Sequence, residues 1–369
     1  MSEPDADTYA LRPTVLPQLA APDLPYRPPM PRVYRPRIGL IGAGGIAAAH
    51  LDAYRAAGWE VAAICNRSLP RAQARAAEFA PQALVTDSYQ DILDDPTIDV
   101  VDITPHPADR LPILEAALRA GKHVLSQKPF VLDLDHGALL VALARDNGVK
   151  LAVNQNGRWS PHMAWMRAAV QGGLIGDVTS VHCAVHWNHG WIAGTPFEKI
   201  DDLILYDFAI HWFDFLHSLV GARAKSAVAM AALAPGQTAR APLMAQVLVR
   251  LDRGQASLVF DGSTPQGPHD TTYIAGTLGS LHSAGPDLGQ QQVTLTTAAG
   301  EARPTLEGNW FNDGFRGAMG ALLVAIEDNT VPANGAAENL GSLALAFAAI
   351  QSRRSGSEVA VGAARGLTL

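Results

Sequence analysis

The spacing of apolar positions changes near residue 160 and splits the chain into two textures. From Arg37 onward, short continuous apolar runs alternate with alanine-rich segments of helical period. That alternation predicts strands over 38–42, 60–65, 99–103, 123–127 and 149–154, with helices over 45–57, 69–79, 108–120 and 134–147 between them. Gly121 and Gly148 stand where a left-handed residue closes the last two of these helices. Apolar strands separated by helices are the mark of βαβ units around a parallel sheet with both faces covered.

Beyond Pro161 the order is different. One helix is followed by an alternating run from Val178 to Trp187, a strongly apolar helix near 203–220, several strands between 226 and 298, and helices near 312–328 and 337–353. Strand after strand predicts an α+β unit with an open, mostly antiparallel sheet and helices on one face. Three segments result: a proline-rich arm over 1–37, a doubly wound domain of nucleotide-binding type over 38–156, and an α+β domain over 157–369. The arm, with Pro22, Pro25, Pro28, Pro29, Pro31 and Pro36, has almost no apolar periodicity. It reads either as a disordered tail or as a strap laid over a cofactor or a neighbouring subunit, and Tyr26 and Tyr34 favour docking.

The first strand runs directly into Gly42-Ala43-Gly44-Gly45-Ile46-Ala47 and then a helix, which is G-x-G-x-x-A in the strand-turn-helix setting of a Rossmann dinucleotide site. Gly42 permits the tight turn, Gly44 a close backbone approach to pyrophosphate, and Gly45, Ile46 and Ala47 open the helix whose N-terminus faces the phosphates. The second strand ends in Cys65-Asn66-Arg67-Ser68, with Arg71 following. Neutral Asn66 stands where a carboxylate would grip the ribose of NAD, and Arg67, Ser68 and Arg71 can hold a 2′-phosphate, so NADP is favoured over NAD.

Ligands of open parallel sheets sit outside the carboxyl ends of the strands. There the chain offers Thr104-Pro105-His106-Pro107 and Gln127-Lys128-Pro129, at the same edge as the glycine turn. Gln127 and Lys128 are therefore candidate cofactor contacts, and the Lys128 ammonium can favour a developing alkoxide, although a surface lysine after a strand has the same appearance. In the later helix, Asp207, His211 and Asp214 fall on one stripe at i, i+4 and i+7, with apolar cover around them. An imidazole beside a carboxylate is a suitable base for a hydroxyl proton, and equally a satisfied core pair. His182, His186 and His189 do not share a face in an extended strand, so no metal site is assigned. Trp187, Asn188, His189 and Trp191 suit the walls of a sugar pocket.

Composition narrows the partners. With 28 basic and 35 acidic residues, a formal net charge of −7 and no block of like charge, neither nucleic acid nor an anionic membrane is expected. Cys65 and Cys183 make no disulfide framework, and neither a spanning segment nor an export signal is present, so a cytoplasmic protein is expected.

From Arg37 onward these motifs resemble the Gfo/Idh/MocA family, named for glucose-fructose oxidoreductase, inositol dehydrogenase and a rhizopine-catabolism protein. The likeness rests on the glycine turn, Ala120 to Val124 leading into Gln127-Lys128-Pro129, Arg158 to Pro161, Asp207-x-x-x-His211, and Ser352 to Val359. It implies an NAD(P)-dependent dehydrogenase or reductase acting on a secondary alcohol or ketone of a sugar, cyclitol or derivative, as a homodimer or homotetramer. It further implies Lys128, Asp207 and His211 as catalytic, with Asp207 orienting His211 or bonding substrate. Thr104, Pro105 and His106 then lie at the nicotinamide ribose, and Asn156 and Arg158 near the substrate. The proline-rich arm also resembles that of glucose-fructose oxidoreductase. Where the family has Glu-Lys-Pro this chain has Gln127, and the family's Asn and His after Thr-Pro are His106 and Asp109. A redox-neutral epimerase or glycoside-cleaving lyase with retained cofactor is the competing enzyme class, and a non-catalytic nucleotide sensor the competing binding class.

Overall fold

The structure is a computed structural model that describes residues 15–368. It begins in the arm, where β1 (Gln18–Leu19) joins a sheet edge 283 residues away in sequence. The first full sheet holds β2 (Arg37–Ile41), β3 (Glu60–Cys65), β4 (Leu84–Thr86), β5 (Val100–Ile103), β6 (His123–Ser126) and β7 (Leu151–Val153), all parallel in the order β4-β3-β2-β5-β6-β7. The order reverses at β2, so the glycine turn after β2 and the turn after β5 flank the switch point. Helices α1 (Ala47–Ala57), α2 (Leu69–Phe79), α3 (Tyr89–Asp94), α4 (Pro107–Arg119) and α5 (Leu134–Asp146) connect these strands. The pair β4 and α3 is absent from the sequence reading because Leu84–Thr86 is too short to carry a period.

The second sheet has ten strands in the order β1-β15-β14-β13-β12-β8-β11-β10-β9-β16. After α6 (Pro161–Gln171) and β8 (Val178–His186) comes α7 (Ile210–Val220), then β9 (Ala224–Ala232), β10 (Met244–Leu251), β11 (Gln255–Asp261), β12 (His269–Gly276), β13 (Gly279–Asp287), β14 (Gln290–Thr297) and β15 (Gly300–Ala302). Two long helices, α8 (Trp310–Glu327) and α9 (Ala336–Ser355), and the short β16 (Val359–Ala360) finish the chain. Pairing is antiparallel except for β8 with β11 and β1 with β15, so an α/β half and an α+β half with a mostly antiparallel sheet are both present.

Two departures from the sequence reading bear on the site. Helix α8, late in the chain, packs on the first sheet: Phe315, Ala318, Met319 and Leu322 share a core with Ile38, Val100, Leu125 and Ala152. Secondly, the predicted helix over 203–220 is not one regular helix. It opens with a π-helical turn over Ile204–Phe208, in which the Ala209 N–H reaches back to the Ile204 carbonyl at 2.7 Å, and the extra residue rotates Asp207 relative to α7. Described residues 15–36 of the arm are ordered against the same chain: Tyr26 is buried, and Arg32 pairs with Glu327 and Asp328 of the α8 end. The first fourteen residues of the predicted arm lie outside the described residues.

Candidate active site

The glycine turn is fixed from both sides. Gly42 has φ +100°, and a Cβ there would lie 2.5 Å from Thr104 Oγ1 and 2.9 Å from Pro105 Cδ, so no side chain fits. Thr104 Oγ1 donates to the carbonyl of Gly42 at 2.8 Å, while Asn66 Oδ1 accepts the Ala43 N–H at 3.0 Å. Nothing stands within 4 Å of a Cβ built on Gly44 or Gly45, and Ile46 starts α1 with no side-chain cap. An open cradle before an uncapped helix N-terminus fits a dinucleotide pyrophosphate. Around the end of β3, Ser68 begins α2, Arg67 is exposed and pairs with Asp109 at 3.3 Å, and Arg75 reaches the Gly44 carbonyl at 3.5 Å.

Lys128 stands at the end of β6, where the Lys128–Pro129 peptide is cis. The buried Arg110 of α4 holds this turn, its guanidinium donating to the carbonyls of Gln127, Pro129 and Phe130 and its Nε to the Pro105 carbonyl at 2.8 Å. Burial is the main pressure on that guanidinium and brings it down to about 10, against the opposing pull of Tyr206, Asp102 and Asp207. From this turn the Lys128 ammonium crosses to the other half of the molecule. It lies 3.1 Å from Asp207 Oδ1 and 2.9 Å from the Asp207 carbonyl. Asp207 therefore serves Lys128, and the π-helical turn is the reason that its spacing of four from His211 does not produce a helical pair.

His211, on α7, is buried, and its Nδ1 has no hydrogen-bond partner. Burial first, and the Lys128 charge second, hold its pKa well below the ordinary value, so the ring is a neutral proton acceptor at neutral pH. Its edge meets Trp310 at 5.2 Å between centroids, and a Cβ on Gly157 would come within 3.3 Å of Nδ1. Asn156 is buried nearby with Oδ1 unpartnered.

His189 follows β8 and is buried. Trp187 Nε1, which can only donate, lies 2.9 Å from His189 Nδ1 and so leaves the imidazole proton on Nε2. Burial lowers its pKa to about 4, with Asp207 opposing and Lys128 assisting. Aromatic rings line the way between the two halves. Trp187 stacks on Phe208 at 4.0 Å; His189 meets Trp191 at 5.0 Å, Trp191 meets Phe197 at 5.7 Å, and Phe197 meets His106 of the nucleotide half at 5.6 Å.

The family models match both halves. One described as the Gfo/Idh/MocA oxidoreductase family with an NAD-binding Rossmann fold covers residues 36–155, and one for the Gfo/Idh/MocA C-terminal domain covers 163–282. The chain belongs to the Gfo/Idh/MocA family. Among relatives of this oxidoreductase, the 1,5-anhydro-D-fructose reductase of Ensifer adhaerens is 30% identical over 87% of this chain and 97% of its own. The inositol 2-dehydrogenase of Rhizobium meliloti is 26% identical over 86% and 96%. A solved Agrobacterium radiobacter oxidoreductase, in complex with NAD+, L-tartaric acid and magnesium, superposes with a TM-score of 0.80 at 20% identity, covering 89% of this chain and 99% of that one.

Within this Gfo/Idh/MocA oxidoreductase, Arg158 is committed elsewhere. It is buried and forms a two-pronged ion pair with Asp214 at 2.6 and 2.9 Å, a second pair with Glu338, and a bond to the Ala333 carbonyl. Burial pushes the Asp214 carboxyl upward, but Arg158 and the Ser342 hydroxyl outweigh it and hold the group below its ordinary value. Arg158→Ala is expected to cost about 3–5 kcal/mol by stranding a buried carboxylate. Urea denaturation checks this; unchanged stability with a raised KM would return Arg158 to the substrate.

Sequence reasoning did not find His50, Asp102, Arg110, Phe197, Phe208 or Trp310. A signal existed for one: Asp102 interrupts an otherwise apolar strand, and a carboxylate there requires partners. His182, on the exposed side of β8, bonds Ser257 at 2.7 Å and is separate from the His189 cluster. Among the described residues no group of three or more His, Cys, Asp or Glu could hold a metal, and no helix is long and apolar enough to cross a membrane.

Proposed function

We propose that this oxidoreductase moves a hydride between a nicotinamide and a secondary alcohol or ketone carbon of a sugar, cyclitol or sugar derivative. The observation that carries the reading is the Lys128–Asp207 pair at 3.1 Å, which joins the two halves beside the neutral His211. Residues 38–156 are taken as the nucleotide-binding domain and 157–369 as the substrate and oligomerisation domain. When bound, the nicotinamide supplies or accepts the hydride. Gly42, Gly44, Gly45 and the start of α1 hold the pyrophosphate, with Thr104, Pro105 and His106 toward the nicotinamide ribose. Lys128 donates to the oxygen on the reacting carbon and favours the charge that develops there. Asp207 keeps Lys128 in place, and His211 takes the hydroxyl proton. His189 offers its Nε2–H to a neighbouring substrate hydroxyl, Asn156 offers its free Oδ1, and Trp187 supplies an aromatic face.

NADP is the proposed cofactor, supported by neutral Asn66 beside Arg67, Ser68 and Arg71. Asn66→Asp keeps an acceptor for the Ala43 N–H but repels a 2′-phosphate, so the ratio of NADP to NAD efficiency is expected to fall about tenfold, or ~1.4 kcal/mol. Comparing kcat/KM for the two cofactors checks this, and an unmoved ratio rejects the reading of the β3 end. A homodimer or homotetramer through the exposed face of the ten-stranded sheet is supported by the exposed neighbours Val228 and Leu248, with Tyr273 in the same cross-strand row beyond Ser257 and His182. A cytoplasmic setting is supported by two buried, unpaired cysteines.

The deciding experiment is a cofactor titration followed by a screen of sugars and cyclitols, read by the absorbance of the reduced nicotinamide. Net absorbance change in step with substrate supports the proposal. Substrate conversion with retained cofactor and no net change assigns the chain to the epimerase or lyase class.

A further inference from the structure

Beneath Lys128 lies a set of polar side chains that the chemistry above does not use. His50 and Tyr54 come from α1, Asp102 from β5, Gln127 from the end of β6 and Asn154 from the end of β7. All are buried, and His50, Tyr54 and Asp102 are 0% exposed. Buried polar groups persist when donors meet acceptors, so the pattern can be solved from any end whose direction is known.

The backbone N–H of Lys128 is such an end, since it can only donate, and it lies 2.6 Å from Gln127 Oε1. The Gln127 amide is thereby oriented with Nε2 toward His50, 3.0 Å from the ring Nε2. An amide nitrogen can only donate, so His50 Nε2 must accept. Asn154 Nδ2 approaches the same ring atom at 3.2 Å and donates to Gln127 Oε1 at 3.2 Å, in agreement with that direction. The single imidazole proton then sits on Nδ1, 2.7 Å from Asp102 Oδ2, which also receives the Tyr54 hydroxyl at 2.6 Å.

We propose that Gln127 is a positioning residue whose amide orders this hydrogen-bond chain from Asp102 to the Lys128 backbone, holds His50 in its neutral Nδ1–H form, and leaves Asp207 as the carboxylate that Lys128 meets. Its shape alone does not explain the choice, because glutamate is nearly isosteric. A carboxylate at position 127 would present an acceptor to His50 Nε2, where the structure has a donor. The ring would then need a proton on each nitrogen, taken up from solvent, and would become an imidazolium between two carboxylates. Net charge in the network would stay the same, one added negative group being matched by one added proton. Its distribution would not: Asp102, deep in the sheet, would face an imidazolium, and a second carboxylate would stand at the residue adjoining Lys128. With glutamine, the ammonium is governed instead by a carboxylate from the other half of the molecule, so its electrostatic partner is present only when the two halves are together.

The hydrogen-bond order can be tested without reference to catalysis; the rate effect rests on the role proposed above for Lys128. The measurement is the pair of ring 15N shifts of His50 in the full-length protein labelled at histidine. The signal is assigned by its loss in His50→Gln or, should that variant not fold, by contacts to the rings of Tyr54 and Phe315, which lie 6.1 and 4.7 Å from His50 between centroids. At neutral pH the unsubstituted protein is expected to show a proton on Nδ1 alone, and Gln127→Glu a proton on both nitrogens. A proton on Nε2 in the unsubstituted protein, or a Gln127→Glu ring that remains neutral, overturns the inference whatever the activity. In parallel, Gln127→Glu is expected to lower kcat about tenfold with KM for the cofactor nearly unchanged. Shifted 15N signals with unaltered kcat would uphold the hydrogen-bond order and overturn the effect of Gln127 on the rate.

Discussion

Replacing His211 with alanine is expected to lower turnover by at least about 100-fold while dinucleotide affinity is kept, the usual size of the loss when a positioned acid-base group is removed. The ring lies on α7, away from the glycine turn proposed to hold the cofactor, which is why the two properties should separate. Its protonation adds a second signature. A base must be unprotonated to act, and burial together with the Lys128 charge depresses the imidazole below its ordinary 6.5. Alcohol oxidation should therefore persist as pH falls through the range in which an ordinary histidine would be lost, and its acid limb should lie below pH 6.5. Single-turnover rates with cofactor affinity measured alongside decide the matter; near-normal turnover removes His211 from the mechanism.

Lys128→Met should be comparably damaging, with a fall of roughly 100- to 1000-fold, as when one donor to a developing oxyanion is deleted. Methionine keeps the length and apolar stem of the side chain, so the loss reports the charge. The substitution also leaves Asp207 without its cation across the crevice. Because Lys128 contributes to depressing His211, the residual activity should show its acid limb displaced upward, toward the ordinary histidine range. An active enzyme with an unmoved limb would leave Lys128 a structural partner of Asp207 with no part in the chemistry.

The parallel sheet, the glycine turn and the antiparallel half were legible because each follows from local periodicity or from a turn that only glycine permits. Lys128 and His211 were legible for a related reason: one sits at the carboxyl end of a buried strand and the other is a polar residue in a very apolar helix. What joins them was not. The π-helical turn over Ile204–Phe208 has no residue signature distinct from a regular helix, so the sequence pairs Asp207 with His211 while the structure turns it to Lys128. Arg158 shows the same limit, since its partners Asp214 and Glu338 lie 56 and 180 residues away. Helix α8 is read as part of the second half for want of any signal that its apolar face fits Ile38 and Val100.

The arm carries a consequence for how the molecule is made. Gln18 and Leu19 pair with Glu301 and Ala302, and the Pro29 carbonyl sits so close to Gly320 that a Cβ there would lie 2.0 Å from it. The arm thus has its seat in a segment synthesised 283 residues later. At about 5–20 residues per second, the 283 residues between Gln18 and Glu301 take roughly 14–57 s to synthesise. The prolines of the waiting stretch offer no N–H for stray strand pairing. Docking of the arm therefore waits on the synthesis of its partner strand, and a bulky tag fused near Gln18 would obstruct the finished sheet edge.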